Sequence, residues 1–116
     1  MGLLSFALAE AADCLTPAGY KHLEMQVKDL AALDQPSTSP TVDVRPVEEF
    51  YEIRDKGGPL GNTNIRLFFG IDALRRTLIV LGVIKKQNDG KTPLGDKVRM
   101  RRRWRNYLAG DYGTLS

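Results

Sequence analysis

The chain has 116 residues, 17 Lys and Arg against 14 Asp and Glu, one Cys and one His. That length suits one domain able to bury roughly two thirds of its unfolded surface; the lone Cys rules out a disulfide framework, and with the lone His it rules out the usual nitrogen–sulfur zinc site. The net charge of +3 is unevenly spread, with 2 basic and 6 acidic side chains in residues 1–44 (net −4) and 15 basic and 8 acidic in 45–116 (net +7), which points a basic face at nucleic acid first and anionic lipid second.

The first element is a helix over Leu3–Leu15, with Leu4, Ala7, Leu8, Ala11 and Leu15 at helical spacing. No Lys or Arg precedes its apolar stretch, so it does not read as a secretory leader. Thr16–Pro17 then reads as an N-cap with proline at the first helical position. From there to Asp34, Tyr20, Leu23, Val27 and Leu30 form a stripe at steps of three and four. The two helices, over 1–34, make a helical hairpin. Gln35–Thr41 is a loop because its prolines and small hydroxyl residues end the helix.

From about residue 42 the period changes. Phe50–Asp55 reads as a strand that starts after Pro46, with Glu48 and Glu49 as its polar approach. Gly57, Gly58 and Gly61 mark a turn. Asn64–Ile71 and Thr77–Lys85 are apolar on both parities, as expected for strands covered on both faces, with Asp72–Arg76 as the hairpin between them. Leu78–Ile84, the longest apolar run, is far short of the ~20 residues of a membrane span, so no membrane partner and a cytoplasmic location are expected. Gln87–Lys91 is a loop. Thr92–Pro93 repeats the cap-plus-proline device and opens a last helix, 93–108. Its apolar side is expected at Leu94, Val98, Met100, Trp104, Tyr107 and Leu108, and its solvent side at Arg99, Arg102, Arg103 and Asn106. The tail Asp111–Ser116 frays. The expected architecture is one α+β domain over 1–116: a helical hairpin, an antiparallel meander of three strands within 42–86, and a basic C-terminal helix.

Most enzyme classes lack their parts. There is no GxGxxG and no Walker loop. His22 lies at the edge of a hydrophobic stripe and reads as structural, and Cys14 reads as a small core residue rather than a nucleophile. What remains is a set of cations at strand ends: Arg54, Arg66, Lys85, Lys86 and, in the following loop, Lys91. An arginine inside an apolar strand needs a partner or an open groove, because a buried unpaired guanidinium is very unfavourable. Arg66 therefore either pairs with Glu52 or Asp72, or joins its neighbours in a concave anion site. Such a site suits an RNA phosphate, since clustered cations stabilise a pentavalent transition state and the ribose 2′-OH supplies the nucleophile. Arg99, Arg102 and Arg103 are either further RNA contacts or a solvated helix face.

FYEIRD (50–55), NIRLFF (64–69), LIVLGVIKKQNDGKTP (78–93) and the basic helix after them resemble, in order and spacing, the RelE/HigB-like toxin superfamily, in particular its phage-derived host-killing branch. CLTPAGYKHLEMQVKDLAAL (14–33) is similar to the second helix of that family. The resemblance covers roughly residues 14–108. It implies the toxin of a type II toxin–antitoxin pair, with a cognate antitoxin as protein partner and the ribosome and mRNA as targets. It further implies a metal-independent endoribonuclease, an mRNA interferase that needs no cofactor. Carried over by position, Arg54 and Arg66 would hold the scissile phosphate and Lys85 and Lys86 would contact RNA or assist proton transfer. Lys91, Arg99, Arg102 and Arg103 would bind RNA. The chain departs from the pattern twice. The family's first strand has no clear counterpart ahead of the first helix, which leaves a sheet edge to be paired or covered, a homodimer being one way. The close of the third strand carries no Tyr or His as general base, a role a lysine of lowered pKa could fill. Two other functions fit the same residues: a non-catalytic RelE/ParE-like binding protein that inhibits gyrase or another host factor, or a basic nucleic-acid-binding protein acting through helix 94–108. Convergence of Arg54, Arg66 and Lys85 on one face would favour the nuclease.

Overall fold

A computed structural model describes residues 2–33, 35–36, 39, 42–55, 64–86 and 90–112. The elements run β1 (Gly2–Leu3), α1 (Ser5–Cys14), α2 (Pro17–Ala31), β2 (Val44–Val47), β3 (Phe50–Asp55), β4 (Asn64–Asp72), β5 (Thr77–Lys86) and α3 (Leu94–Leu108). The strands form one five-stranded sheet in the order β1-β5-β4-β3-β2. The α+β layout, with its helical hairpin and C-terminal helix, is the one expected. The sheet differs: it gains a strand at each side of the expected three, and β1 runs parallel to β5, so it is mixed rather than an antiparallel meander. The turn expected at Gly57–Gly61 and most of the Gln35–Thr41 and Gln87–Lys91 loops lie outside the described residues.

β4 and β5 are buried at consecutive positions, as two-sided coverage requires. α2 covers one face with Leu23, Val27 and Leu30, and its Thr16 hydroxyl caps the helix by accepting from the Gly19 N–H, worth about 1 kcal/mol. α3 covers the other face. Gly70 and Gly82 admit it closely: a Cβ on Gly70 would lie 2.4 Å from the Trp104 ring, and one on Gly82 2.4 Å from Met100 Cε. The buried stripe of α3 is narrower than its apolar residues suggested. Met100, Trp104 and Tyr107 are buried, whereas Leu94, Val98 and Leu108 are exposed. Leu8 of α1 is exposed too, although Leu4, Ala7 and Ala11 are in the core.

Both sheet edges are protected. β2 is an edge strand, and the Arg54 N–H donates to Asp43 O. In that antiparallel alternation Asp43 and Arg45 point their backbone groups at β3 and Pro46 points away, where a missing N–H leaves no ladder bond unmade. Proline at position 46 thus blunts an edge instead of preceding a strand. Glu48 and Glu49 form the tight β2–β3 turn, with Glu48 at φ 57°. At the opposite edge β1 pairs with only Ile79 and Val80. Beyond it, the Glu10 carboxylate accepts from the Val83 N–H (3.1 Å), Arg103 Nη1 donates to Leu81 O (2.9 Å), and the two side chains pair at 2.8 Å. A side-chain ion pair therefore caps the free backbone of β5 just where its ladder to β4 bulges at Leu81. A strand ahead of the first helix does exist, but two residues suffice because α1 supplies the rest of the cover.

Candidate functional site

Strand alternation sorts the strand-end cations. Arg54 and Arg66 oppose each other across β3 and β4, and Arg66 opposes Ile84 on β5. Glu52, Arg54, Arg66, Gly82, Ile84 and Lys86 therefore point to the face that α3 covers. Lys85 points to the other face, that of α2, and is exposed. The expected convergence is thus partial: Arg54, Arg66 and Lys86 come together, and Lys85 does not join them.

The centre of this cluster is the buried carboxylate of Glu52, 2% exposed. Arg54 holds Oε1 through Nε (2.9 Å) and Nη2 (2.8 Å). The Thr92 hydroxyl donates to Oε2. Arg66 is fully buried; its Nη1 donates to Thr92 Oγ1 at 2.8 Å and lies 3.9 Å from Glu52 Oε2, and its Nη2 donates to the Gly90 carbonyl. Of the two readings of Arg66, the ion pair with Glu52 is the one present, mediated in part by a threonine hydroxyl. Thr92 consequently does not cap α3. Pro93 occupies the N-cap position without a side-chain bond, and the Thr92 hydroxyl is spent on the buried pair instead. Lys86 Nζ donates to Gly90 O (3.2 Å) and Lys91 O (2.8 Å), while the Lys91 side chain is exposed.

The α3 arginines are mostly engaged within the fold. Arg99 pairs with Asp96 (3.1 Å) and Glu10 (3.5 Å), Arg101 with Glu48 and Glu49, and Arg105 with Glu49 (3.0 Å). Arg103, expected on the solvent side, is tucked against Glu10 and Leu81 O with its guanidinium 4.9 Å from the Phe6 ring centroid. The reason is the β5 edge, which needs a donor at that point. Among the described residues Arg102 is the α3 arginine without an acidic partner.

Two further polar groups escaped or only half answered to sequence reasoning. His22 Nε2 lies 2.7 Å from Asp55 Oδ2, which also accepts from Gln26 Nε2 at 2.8 Å; the histidine pins α2 to the end of β3, in keeping with its structural reading. At the far end of α3, the Tyr107 hydroxyl donates to buried Asp72 Oδ2 at 2.7 Å, and Arg75 donates to the same oxygen at 3.0 Å. The tyrosine hydroxyl, followed by the Arg75 bonds, holds the Asp72 carboxyl below its ordinary range, and burial followed by this bond pushes the Tyr107 phenol up. Burial first, then Glu10 and Asp13, raise the Cys14 thiol, which suits a half-buried packing residue and not a nucleophile.

No protein-family model and no curated protein sequence matches the chain. No helix among the described residues is long and apolar enough to cross a membrane.

Proposed function

We propose that the chain is a RelE/HigB-like toxin of a type II toxin–antitoxin pair, a metal-independent endoribonuclease that cuts mRNA on the ribosome in the cytoplasm and is silenced by a cognate antitoxin. The observation that carries this reading is the placement of Arg54, Arg66 and Lys86 on one face at one end of three adjacent strands. In the reaction the ribose 2′-oxygen attacks the adjacent phosphorus, the P–O5′ bond breaks, and a 2′,3′-cyclic phosphate and a free 5′-hydroxyl result. Cations around the phosphate stabilise the added negative charge of the transition state. Arg54, 22% exposed, Lys86 and the exposed Lys91 are the groups positioned to meet RNA first. Arg66 lies beneath them and fixes Glu52, Thr92 and Gly90. A non-catalytic relative that binds gyrase or another host factor is the second reading, favoured by the burial of Arg66 and by Lys85 lying on the opposite face. Binding of nucleic acid through α3 is disfavoured, since four of its five arginines already have acidic partners.

A reconstituted bacterial translation reaction separates the first two. Wild-type chain is expected to cut translated message, with cut sites mapped by primer extension, and the Arg54→Ala, Lys86→Ala double variant to leave it intact. Intact message with folded wild-type chain would sink the nuclease and leave the binding protein.

A further inference from the structure

We infer that the outer face of α1 is the contact by which two copies of this chain pair, with the two α1 helices antiparallel across a two-fold axis at Ala9. The pairing is separate from the nuclease reaction and rests on a helix whose exposed side is almost free of charge.

α1 buries Ala7 and Ala11 and spends Glu10 on Arg99, Arg103 and the Val83 N–H. The rest of it faces outward: Ser5, Phe6, Leu8, Ala9, Ala12 and Asp13 are exposed, Phe6 by 54% and Leu8 by 41%. Asp13 is the one charge on that side. A helix apolar on nearly every side is ordinarily buried all round, yet α1 is buried on one side only.

The exposed face is complementary to itself. Ser5, Ala9 and Asp13 form one ridge at steps of four, and Leu8 and Ala12 form the next. Their mostly small side chains let a second helix approach closely. The first turn of α1 has no capping side chain and no acidic residue, so its N–H groups and the positive end of the helix dipole have no anionic partner in the chain. Asp13 lies about 12 Å along the axis from Ser5. In an antiparallel pair centred on Ala9, Asp13 of each copy stands beside Ser5 of the other, and both helix N-termini receive a carboxylate. The two-fold axis makes that contact twice.

α3 also exposes apolar residues, Leu94, Val98 and Leu108. Arg101, Arg102 and Arg105 stand among them and would oppose their own copies in a symmetric pair. The α1 face carries no such repulsion. α1 has only 10 residues, and two such helices bury far less than the ~1,600 Å² of a standard interface. The dimer is therefore weak, with a dissociation constant of the order of 0.1 mM.

The test is sedimentation equilibrium of the full-length chain from about 10 μM to about 1 mM. Wild type is expected to pass from monomer towards dimer across that range. Ala9→Glu sets a carboxylate on the axis against its own copy and should weaken association at least about tenfold. Ala9 is exposed, so this variant should keep its fold, checked by circular dichroism. Asp13→Asn keeps the shape and loses the charge, and should weaken association about threefold. Ala9→Cys should oxidise to a disulfide-linked dimer faster than Lys21→Cys, an exposed position on α2, with Cys14 present in both. A wild-type chain that stays monomeric at about 1 mM would overturn the inference. So would a dimer that Ala9→Glu leaves unchanged, or equal cross-linking of the two cysteine variants. If Ala9→Glu does not fold, the cysteine pair decides. An Asp13→Asn chain that associates as wild type does overturns the antiparallel arrangement.

Discussion

Two polar clusters fasten α3 to the sheet, one at each end, and they are built alike. At the start of the helix the buried carboxylate of Glu52 takes the Thr92 hydroxyl and arginines 54 and 66. At its end the buried carboxylate of Asp72 takes the Tyr107 hydroxyl and Arg75. The difference lies in the arginines. Arg75 is 64% exposed and balances one aspartate, so that cluster is a neutral, half-solvated anchor. Arg66 is wholly buried and shares its carboxylate with a second arginine, with Lys86 close by on the same carbonyl. One end of α3 is held by a half-solvated pair, and the other by a buried network that ties two arginines and a threonine hydroxyl to one carboxylate.

The comparison can be broken most strongly at Glu52. Glu52→Ala leaves a buried guanidinium without its carboxylate and should lower stability by about 3–5 kcal/mol, read as the urea midpoint. At the other end Tyr107→Phe removes one bond from a carboxylate that keeps Arg75, and the expected loss is about 1–2 kcal/mol. The same variant sharpens the contrast through pH. The folded chain holds Asp72 below its ordinary range, so its contribution is present above the unfolded value of about 4 and is lost as pH falls through the folded one. Urea midpoints followed from pH 6 down to about 2.5 should fall in wild type and fall less in Tyr107→Phe, because the leading cause of the depression is gone. An equal fall in both would detach Asp72 from the effect. Smallest of all, Arg102→Ala should change stability by less than about 0.5 kcal/mol. If α3 nevertheless bound RNA, the same change would lower the salt slope of binding by about one; an unchanged slope keeps α3 out of the interface.

Much of this fold was legible because its signals are local. Thr16–Pro17 is capped as read, and the stripe Leu23, Val27, Leu30 faces the core. The β4 and β5 segments are buried on both faces. The short strands were not legible. β1 has two residues and no period to detect, and β2 contains Pro46, which ordinarily argues against a strand and is admitted here only because its nitrogen faces away from β3. The second Thr-Pro was read as a copy of the first, yet Thr92 sits against a buried ion pair that competes for its hydroxyl and Thr16 does not.

The sequence by itself determined the α+β class, the limits of the long elements and the gathering of cations at strand ends, because periodicity, capping and charge act between residues near in the chain. Tertiary structure decided which cations are spent and which remain. Glu10 lies 93 residues from Arg103 and Glu49 lies 56 from Arg105, and whether such charges meet depends on how the sheet edges are covered and not on any spacing in the chain. The register that sends Lys85 away from Arg54 and the bond from Arg66 to the Gly90 carbonyl are likewise long-range outcomes, set by strand pairing and by the need of every buried charge for a partner.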